Sequence, residues 1–227
     1  MNLNPVVPAY FHPALAATDW ATLAAMAGEL RLVVLNVANG TGEQPDHTFV
    51  DVVREVQAGG AAVAGYMDSD YGRRPGQEIL AELHRYWEWY GVRNVFLDRA
   101  ASGIEHVRQY GMIAAQCRAF GAEVVAFNHG THPAPEYAEH ADLLGTFEGQ
   151  LPAFLDLDVP RWVHDHPADC FFHLLYSCPP EVAGPIEALA AERNVGSLYR
   201  TERRPPNPWG GLPADFPHTP STAGRLG

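Results

Sequence analysis

The feature that most constrains this chain is a rhythm. Eight short apolar runs recur about every 20–32 residues: VVPAYF (6–11), RLVVLN (31–36), AAVAGYM (61–67), NVFLD (94–98), EVVAFN (123–128), LLGTFE (143–148), DCFFHLL (169–175) and GSLYRT (196–201). Stretches of helical periodicity lie between them. Strands that alternate with helices pair in parallel, because the crossover from one parallel strand to the next is usually a helix. Eight such units predict a single (β/α)8 barrel, and 227 residues suit that fold. An open doubly wound sheet is the competing reading. Its phosphate-binding fingerprint is absent, because neither NGTGEQP nor QAGGAAVAG reads as a strand-then-helix G-x-G-x-x-G.

Local signals agree with the alternation. Thr18 or Asp19 is placed to cap TDWATLAAMAGEL, and Asp46 to cap DHTFVDVVREVQAGG, which stops at a glycine pair. PGQEILAELHRYWEWYG carries Pro75 near its start and Gly91 just past its end. GIEHVRQYGMIAAQCRAFG and PPEVAGPIEALAAERNVG complete the long helical patterns, while 133–141 and 150–165 are short and contain proline. Residues 1–216 are read as one barrel domain and 217–227 as a Pro/Gly-rich tail.

Composition narrows the function classes. Hydrophobic residues make up 47% and charged residues 19%, the balance of an ordinary globular protein. A net charge of −12 without a basic block argues against nucleic acid or an anionic membrane surface, and favours a neutral or cationic ligand. The start, MNLNPVVPAYFHP, has neither a basic n-region nor an apolar h-region, so a cytoplasmic location is expected. No run approaches the ~20 apolar residues of a membrane helix. Three cysteines (Cys117, Cys170, Cys178) without metal-site spacing read as small apolar fillers.

Barrel enzymes work at the C-terminal ends of their strands. Here those ends carry Tyr10 and His12, Asn36, Tyr66 with Asp68 and Asp70, Asp98 with Arg99, Asn128 with His129, Glu148, Tyr176 and Thr201. Dry strand interiors with a polar residue recurring at each tip gather polar groups on one rim. Two carboxylates stand out. Asp98 follows Val95-Phe96-Leu97 and Glu148 follows Gly145-Thr146-Phe147, so both leave apolar strands with little access to water. Glycoside hydrolysis needs such a pair, with burial raising one carboxyl toward an acid role. A structural salt bridge between Asp98 and Arg99 is the plain alternative, although consecutive strand residues face opposite ways.

PAYFHP, Trp20, LNVANGTGEQPD, GYMDSDYGRR, YWEWYGVRNVFLD, NHGTHP, Phe147-Glu148 and TERRPPNPWGGLP occur in order from Pro8 to about Phe216. Together they resemble the spherulation-specific family four (spherulin-four) proteins. That family is similar to endo-α-1,4-polygalactosaminidase-type glycoside hydrolases on a (β/α)8 barrel. The resemblance implies Asp98 and Glu148 as the catalytic carboxylates, and puts Tyr66, Asp68, Tyr71, Asn36 and Asn128 in the substrate cleft. One departure stands out: hydrolases of this kind show Asp-Glu where this chain has Asp98-Arg99, so a permanent cation replaces the second acid.

The remaining candidates are weaker. His164 and His166 form an H-x-H and His129 with His132 flank HGTH, but a zinc site needs three convergent ligands, so neither a metal nor any other cofactor is expected. His129 reads as a rim residue able to hydrogen-bond substrate or assist proton transfer, and His173 as a satisfied core histidine. Tyr86, Trp87, Trp89 and Tyr90 have helical spacing and pack a helix on the barrel wall. Trp209, after the last strand, is the better surface for stacking a sugar. Asn39, Gly40 and Gly42 suit a tight loop more than an anion nest. Three function classes follow. The first is a hydrolase of an amino-sugar bond, taking an oligosaccharide. The second is a repurposed barrel hydrolase, lyase or cyclase, with Arg99 holding a small anionic metabolite. The third is a non-catalytic carbohydrate-binding protein.

Overall fold

The computed structural model describes residues 3–216, so the tail expected at 217–227 lies outside the described residues. Each of the eight apolar runs contains a strand: β1 (Val6–Ala9), β2 (Leu32–Leu35), β3 (Val63–Asp68), β4 (Asn94–Asp98), β5 (Val125–Asn128), β6 (Leu143–Gln150), β7 (Phe171–Tyr176) and β8 (Ser197–Arg200). They pair in parallel and in chain order, and β8 returns beside β1 in a nearly closed (β/α)8 barrel. The helices between them are α1 (Ala17–Ala25), α2 (Thr48–Ala58), α3 (Gly76–Tyr90), α4 (Val107–Ala119), α5 (Leu151–Leu155) and α6 (Ala183–Glu192). Between β5 and β6 the helix shrinks to a 3-10 segment, Pro135–Glu139.

Two caps differ from expectation. α1 starts at Ala17, ahead of both proposed caps, and the Asp19 carboxylate is engaged elsewhere: its Oδ2 accepts the Leu212 N–H at 2.9 Å. That bond ties the segment after β8 to the first helix. Asp46 stands one residue before the N-cap of α2, yet its Oδ1 accepts the Thr48 N–H at 2.9 Å and so performs the capping from there. The loop of Asn39, Gly40 and Gly42 is occupied by the protein's own anion. Glu82 of α3 receives the Thr41 N–H at 3.1 Å and pairs with Arg74 at 2.7 Å. A side chain on Gly40, at φ 134°, would run into that carboxylate.

The barrel interior is packed, with Phe96 of β4 meeting Phe172 of β7 at 5.8 Å between ring centres. On the outside Tyr86 lies flat against β3, its hydroxyl donating to Leu35 O at 3.1 Å. It fits there because residue 65 is glycine, where any Cβ would meet the Tyr86 ring. Of the aromatic group on α3, Tyr86 and Tyr90 are the buried packing face, whereas Trp87 is exposed and meets Phe120 edge-on.

One strand is irregular. β6 carries a bulge between Gly145 and Phe147, where the register against β7 slips by one residue. Gly145 faces the interior, since a Cβ there would touch Phe172. Without the slip Phe147 would also face inward and Glu148 outward. With it, Phe147 joins the outer cluster of Phe154, Leu175 and Ile186, and Glu148 turns toward the axis. Thr146, the extra residue, donates to or accepts from His173 Nε2 at 2.9 Å in the dry wall, where burial pushes His173 down to about 3.

Gly65→Ala should destabilise the barrel by about 1–3 kcal/mol through overpacking against Tyr86. For a chain of this size that is a fall in Tm of roughly 2–12 °C, read by calorimetry. An unchanged Tm would show that α3 can shift outward freely.

Candidate active site

The tip of β4 answers why charge follows a dry strand. Asp98 shares the inward face with Phe96, and its carboxylate is held from two sides. Tyr66 OH of β3 donates to Oδ2 at 3.0 Å, and Asn128 Nδ2 of β5 donates to Oδ1 at 2.8 Å. The same Nδ2 donates to Glu148 Oε2 of β6 at 2.6 Å. One primary amide, with its two N–H bonds, therefore bridges both carboxylates. The amide must present nitrogen here, since its oxygen would face two acceptors. Asn128 Oδ1 turns the other way, into space that a side chain on Gly145 would fill.

The electrostatics follow from that geometry. Burial, then the charge on Asp98, pushes Glu148 up to about 7, against hydrogen bonds from Asn128 and Trp209 that favour its charged form. Burial also raises Asp98 above the ordinary carboxylate value, opposed by hydrogen bonds from Asn128, the Arg99 backbone and Tyr66. Glu148 is thus poised to hold a proton near neutrality, while Asp98 has the larger set of donors supporting its anion.

Two adjoining cavities open on this rim. The larger, about 530 Å³, is lined by Tyr10, Asn36, Tyr66, Tyr176, Trp209 and Glu148, among others. The smaller, about 300 Å³, is lined by Tyr71, Asp98, Arg99, Asn128, His129, Glu148 and Tyr176, together with Gly130. The expected single pocket is therefore bilobed, with Glu148 and Tyr176 in the shared wall. Residues 205–208 also line the larger lobe; the sequence places them in the barrel domain without marking any of them as a site residue. Barrel closure brings them over β1: Tyr10 N–H donates to Trp209 O at 3.3 Å and Asn207 Nδ2 to Tyr10 O at 3.2 Å. Trp209 packs edge-on against Tyr176 at 6.0 Å and is largely buried, so it presents little face for stacking.

Three expected site residues sit elsewhere or act differently. His12 lines neither cavity; its Nε2 pairs with Asp46 Oδ2 at 2.9 Å and its ring packs on Phe49, so it pins the loop before α2. Asp68 is also outside both linings and serves as an anchor for Arg99. His129 lines the smaller lobe, but its ring lies 4.6 Å from Tyr137 and burial pushes it down to about 4. A neutral imidazole can hydrogen-bond, but it does not shuttle protons near pH 7. Arg99 leaves the strand in a left-handed turn, φ 50°, and makes no ion pair with Asp98. Its guanidinium spans Asp68 at 2.8 Å and Asp70 at 2.6 Å and lies 4.9 Å from the centre of the Tyr71 ring. Among the described residues no group of three or more His, Cys, Asp or Glu side chains is gathered as a metal site would need.

Fold and cleft define a (β/α)8-barrel protein with paired carboxylates at its C-terminal rim. The chain belongs to spherulation-specific family 4, whose profile matches residues 5–222. Spherulin-4 of Physarum polycephalum is 26% identical over 146 residues, covering 63% of this chain and 44% of that protein, so the match spans less than half of spherulin-4. Among solved structures, Aspergillus clavatus Sph3 in complex with GalNAc superposes with a TM-score of 0.79 at 19% identity, covering 95% of this chain and 94% of that one. A deoxyribose phosphate aldolase from Aeropyrum pernix shares the general barrel, with a TM-score of 0.52 at 14% identity over 88% of this chain and 85% of that one.

The raised carboxyl has a thermodynamic signature. A carboxyl whose folded pKa exceeds its unfolded value favours folding at low pH and opposes it as pH climbs through the folded pKa. For Glu148 the window runs from about 4.5 to about 7. Glu148→Gln should therefore raise Tm at pH 8 relative to wild type and lose that advantage at pH 4. Melting curves that shift equally at both pH values would mean that Glu148 titrates normally.

Proposed function

We propose that this protein is a glycoside hydrolase that cleaves a galactosamine-type glycosidic bond, with Asp98 as nucleophile and Glu148 as general acid. The observation that carries the reading is the Asn128 amide bonded to both carboxylates. Because one nitrogen reaches both, their nearer oxygens stand no further apart than the two hydrogen bonds laid end to end. That bound on the nearer oxygens favours the closer spacing of a nucleophile–acid pair, ~5–5.5 Å, over the ~6.5–9.5 Å that leaves room for an attacking water.

In this reading Asp98 attacks the anomeric carbon while Glu148 gives its proton to the bridging oxygen, and the leaving sugar departs as an alcohol. Glu148, now ionised, takes a proton from water, whose oxygen attacks the same carbon and releases Asp98. Asn128 holds the two carboxyls in register, and Tyr66 helps fix the angle of Asp98. The GalNAc bound to Sph3, a protein of like fold, supports an amino sugar as ligand, as does the acidity of the chain. The reading in which Arg99 grips an anionic metabolite finds less support, because its guanidinium is already spanned by Asp68 and Asp70.

Asp98→Asn and Glu148→Gln should each lower turnover by ~10²–10⁴, measured as reducing ends released from an N-acetylgalactosamine oligomer. The wild-type rate should fall as pH climbs through about 7, where Glu148 loses its proton, and Glu148→Gln should lack that limb. Two variants of wild-type activity, beside an Arg99→Ala that is inert, would place the chemistry on Arg99 instead. No turnover by the wild type on any amino-sugar oligomer would reduce the protein to a carbohydrate binder.

A further inference from the structure

The two lobes of the cleft are chemically unequal. Both carboxylates face the smaller lobe, while only Glu148 faces the larger one. Glycosidic cleavage makes a matching distinction between the two sugars it separates. The sugar under attack must meet both carboxyls, the nucleophile at its anomeric carbon and the acid at the bridging oxygen. The departing sugar meets the acid alone. Resting on the hydrolase reading above, we propose that the larger lobe is the leaving-group subsite and takes an uncharged saccharide unit.

Its walls fit that ligand. Pro205, Pro206 and Pro208 supply rigid apolar surface, and Tyr10, Tyr66 and Tyr176 add aromatic side chains. Asn39 adds an exposed amide from the loop after β2. Sugars bind by this mixture of C–H surface and hydroxyl bonding, with a few placed polar groups setting orientation. Glu148 is the one charged residue in that lining among the described residues, and Asp98 lies just behind it, so an acidic sugar would meet repulsion with no cation to offset it. Arg99 belongs to the other lobe and is held by Asp68 and Asp70. The lobe is also the roomier of the two, about 530 Å³ against about 300 Å³, so it admits a sugar as leaving group.

Asn39 is the residue to test, because it sits at φ 53°, a conformation that glycine adopts freely, so Asn39→Gly removes the amide without straining the loop. One lost hydrogen bond corresponds to about 3- to 10-fold in kcat/KM. Asn39→Gly should show that loss on an N-acetylgalactosamine disaccharide and a clearly smaller one on an aryl N-acetylgalactosaminide, whose leaving group has no hydroxyls to bind. Equal losses on both would overturn the assignment. Binding gives an independent reading. The disaccharide is titrated onto the Asp98→Asn variant while the side-chain amide NMR signals of Asn39 and Asn128, assigned by substitution, report on the two lobes. Movement of both supports the subsite. Movement of Asn128 alone overturns it and leaves the hydrolase reading standing. If neither moves and the wild type turns nothing over, both readings fall together.

Discussion

A closed barrel allows a side chain only two directions, inward or outward, and alternation decides which. Asp98 obeys that parity, two residues beyond the inward Phe96. Glu148 does not, since regular alternation from Gly145 would point it at the helices. The bulge in β6 corrects the parity, and the rest of the site depends on it. Its parts are local and mutually required. Thr146, the inserted residue, bonds to His173 in the next strand, Phe147 fills the outer cluster, and Gly145 leaves room for the Asn128 amide. A polar pair in the dry wall thus anchors an irregularity that delivers a carboxyl to the axis 2.6 Å from its amide partner.

Once the two acids are brought together, their shared donor sets their character. Two carboxylates in a poorly solvated space resist both being charged, and a single amide gives each one hydrogen bond without neutralising either. What separates them is the rest of the shell. Asp98 also receives the Tyr66 hydroxyl and the Arg99 backbone, while Glu148 has Trp209 as its further donor and is raised by the charge on Asp98. The pair is therefore asymmetric before any ligand arrives, and the difference arises from neighbours supplied by β3 and by the segment after β8.

Much of this was legible in the sequence. Eight apolar runs at barrel spacing, with polar residues at their ends, are a pattern of period and burial, and both are written in residue types. The pairing of Asp98 with Glu148 was visible because each follows a dry run. The bulge was not, because a Gly-Thr-Phe-Glu run is equally compatible with a regular strand, and the slip is decided by what β7 and the outer cluster accept. His12 was misread for a related reason: adjacency in sequence to Tyr10 says nothing of Asp46, which lies 34 residues away and captures it. The wall made by residues 205–208 was not marked as part of the site, because its partner, Tyr10, stands at the opposite end of the chain.

Arg99 shows how a charge beside the Asp98 carboxylate can be kept from disturbing it. A strand residue after Asp98 would ordinarily continue the pleat. Instead the backbone turns left-handed at Arg99, and Asp70 and Tyr71 opposite are left-handed too, at φ 47° and 53°. Such conformations cost about 1–2 kcal/mol each for residues with a side chain, and they persist only where neighbours over-determine them. Here the neighbours are evident. Tyr71 N–H donates to Arg99 O at 2.8 Å, Asp70 N–H to Asp68 Oδ1 at 2.7 Å, and the guanidinium joins both aspartates under the Tyr71 ring. The cation is spent on the neighbouring loop after β3, balanced by two acids, with Arg73 also paired to Asp70. The field in the cleft is then left to Asp98 and Glu148, so the lobe they face remains one for neutral or positively charged groups even with a guanidinium in its wall.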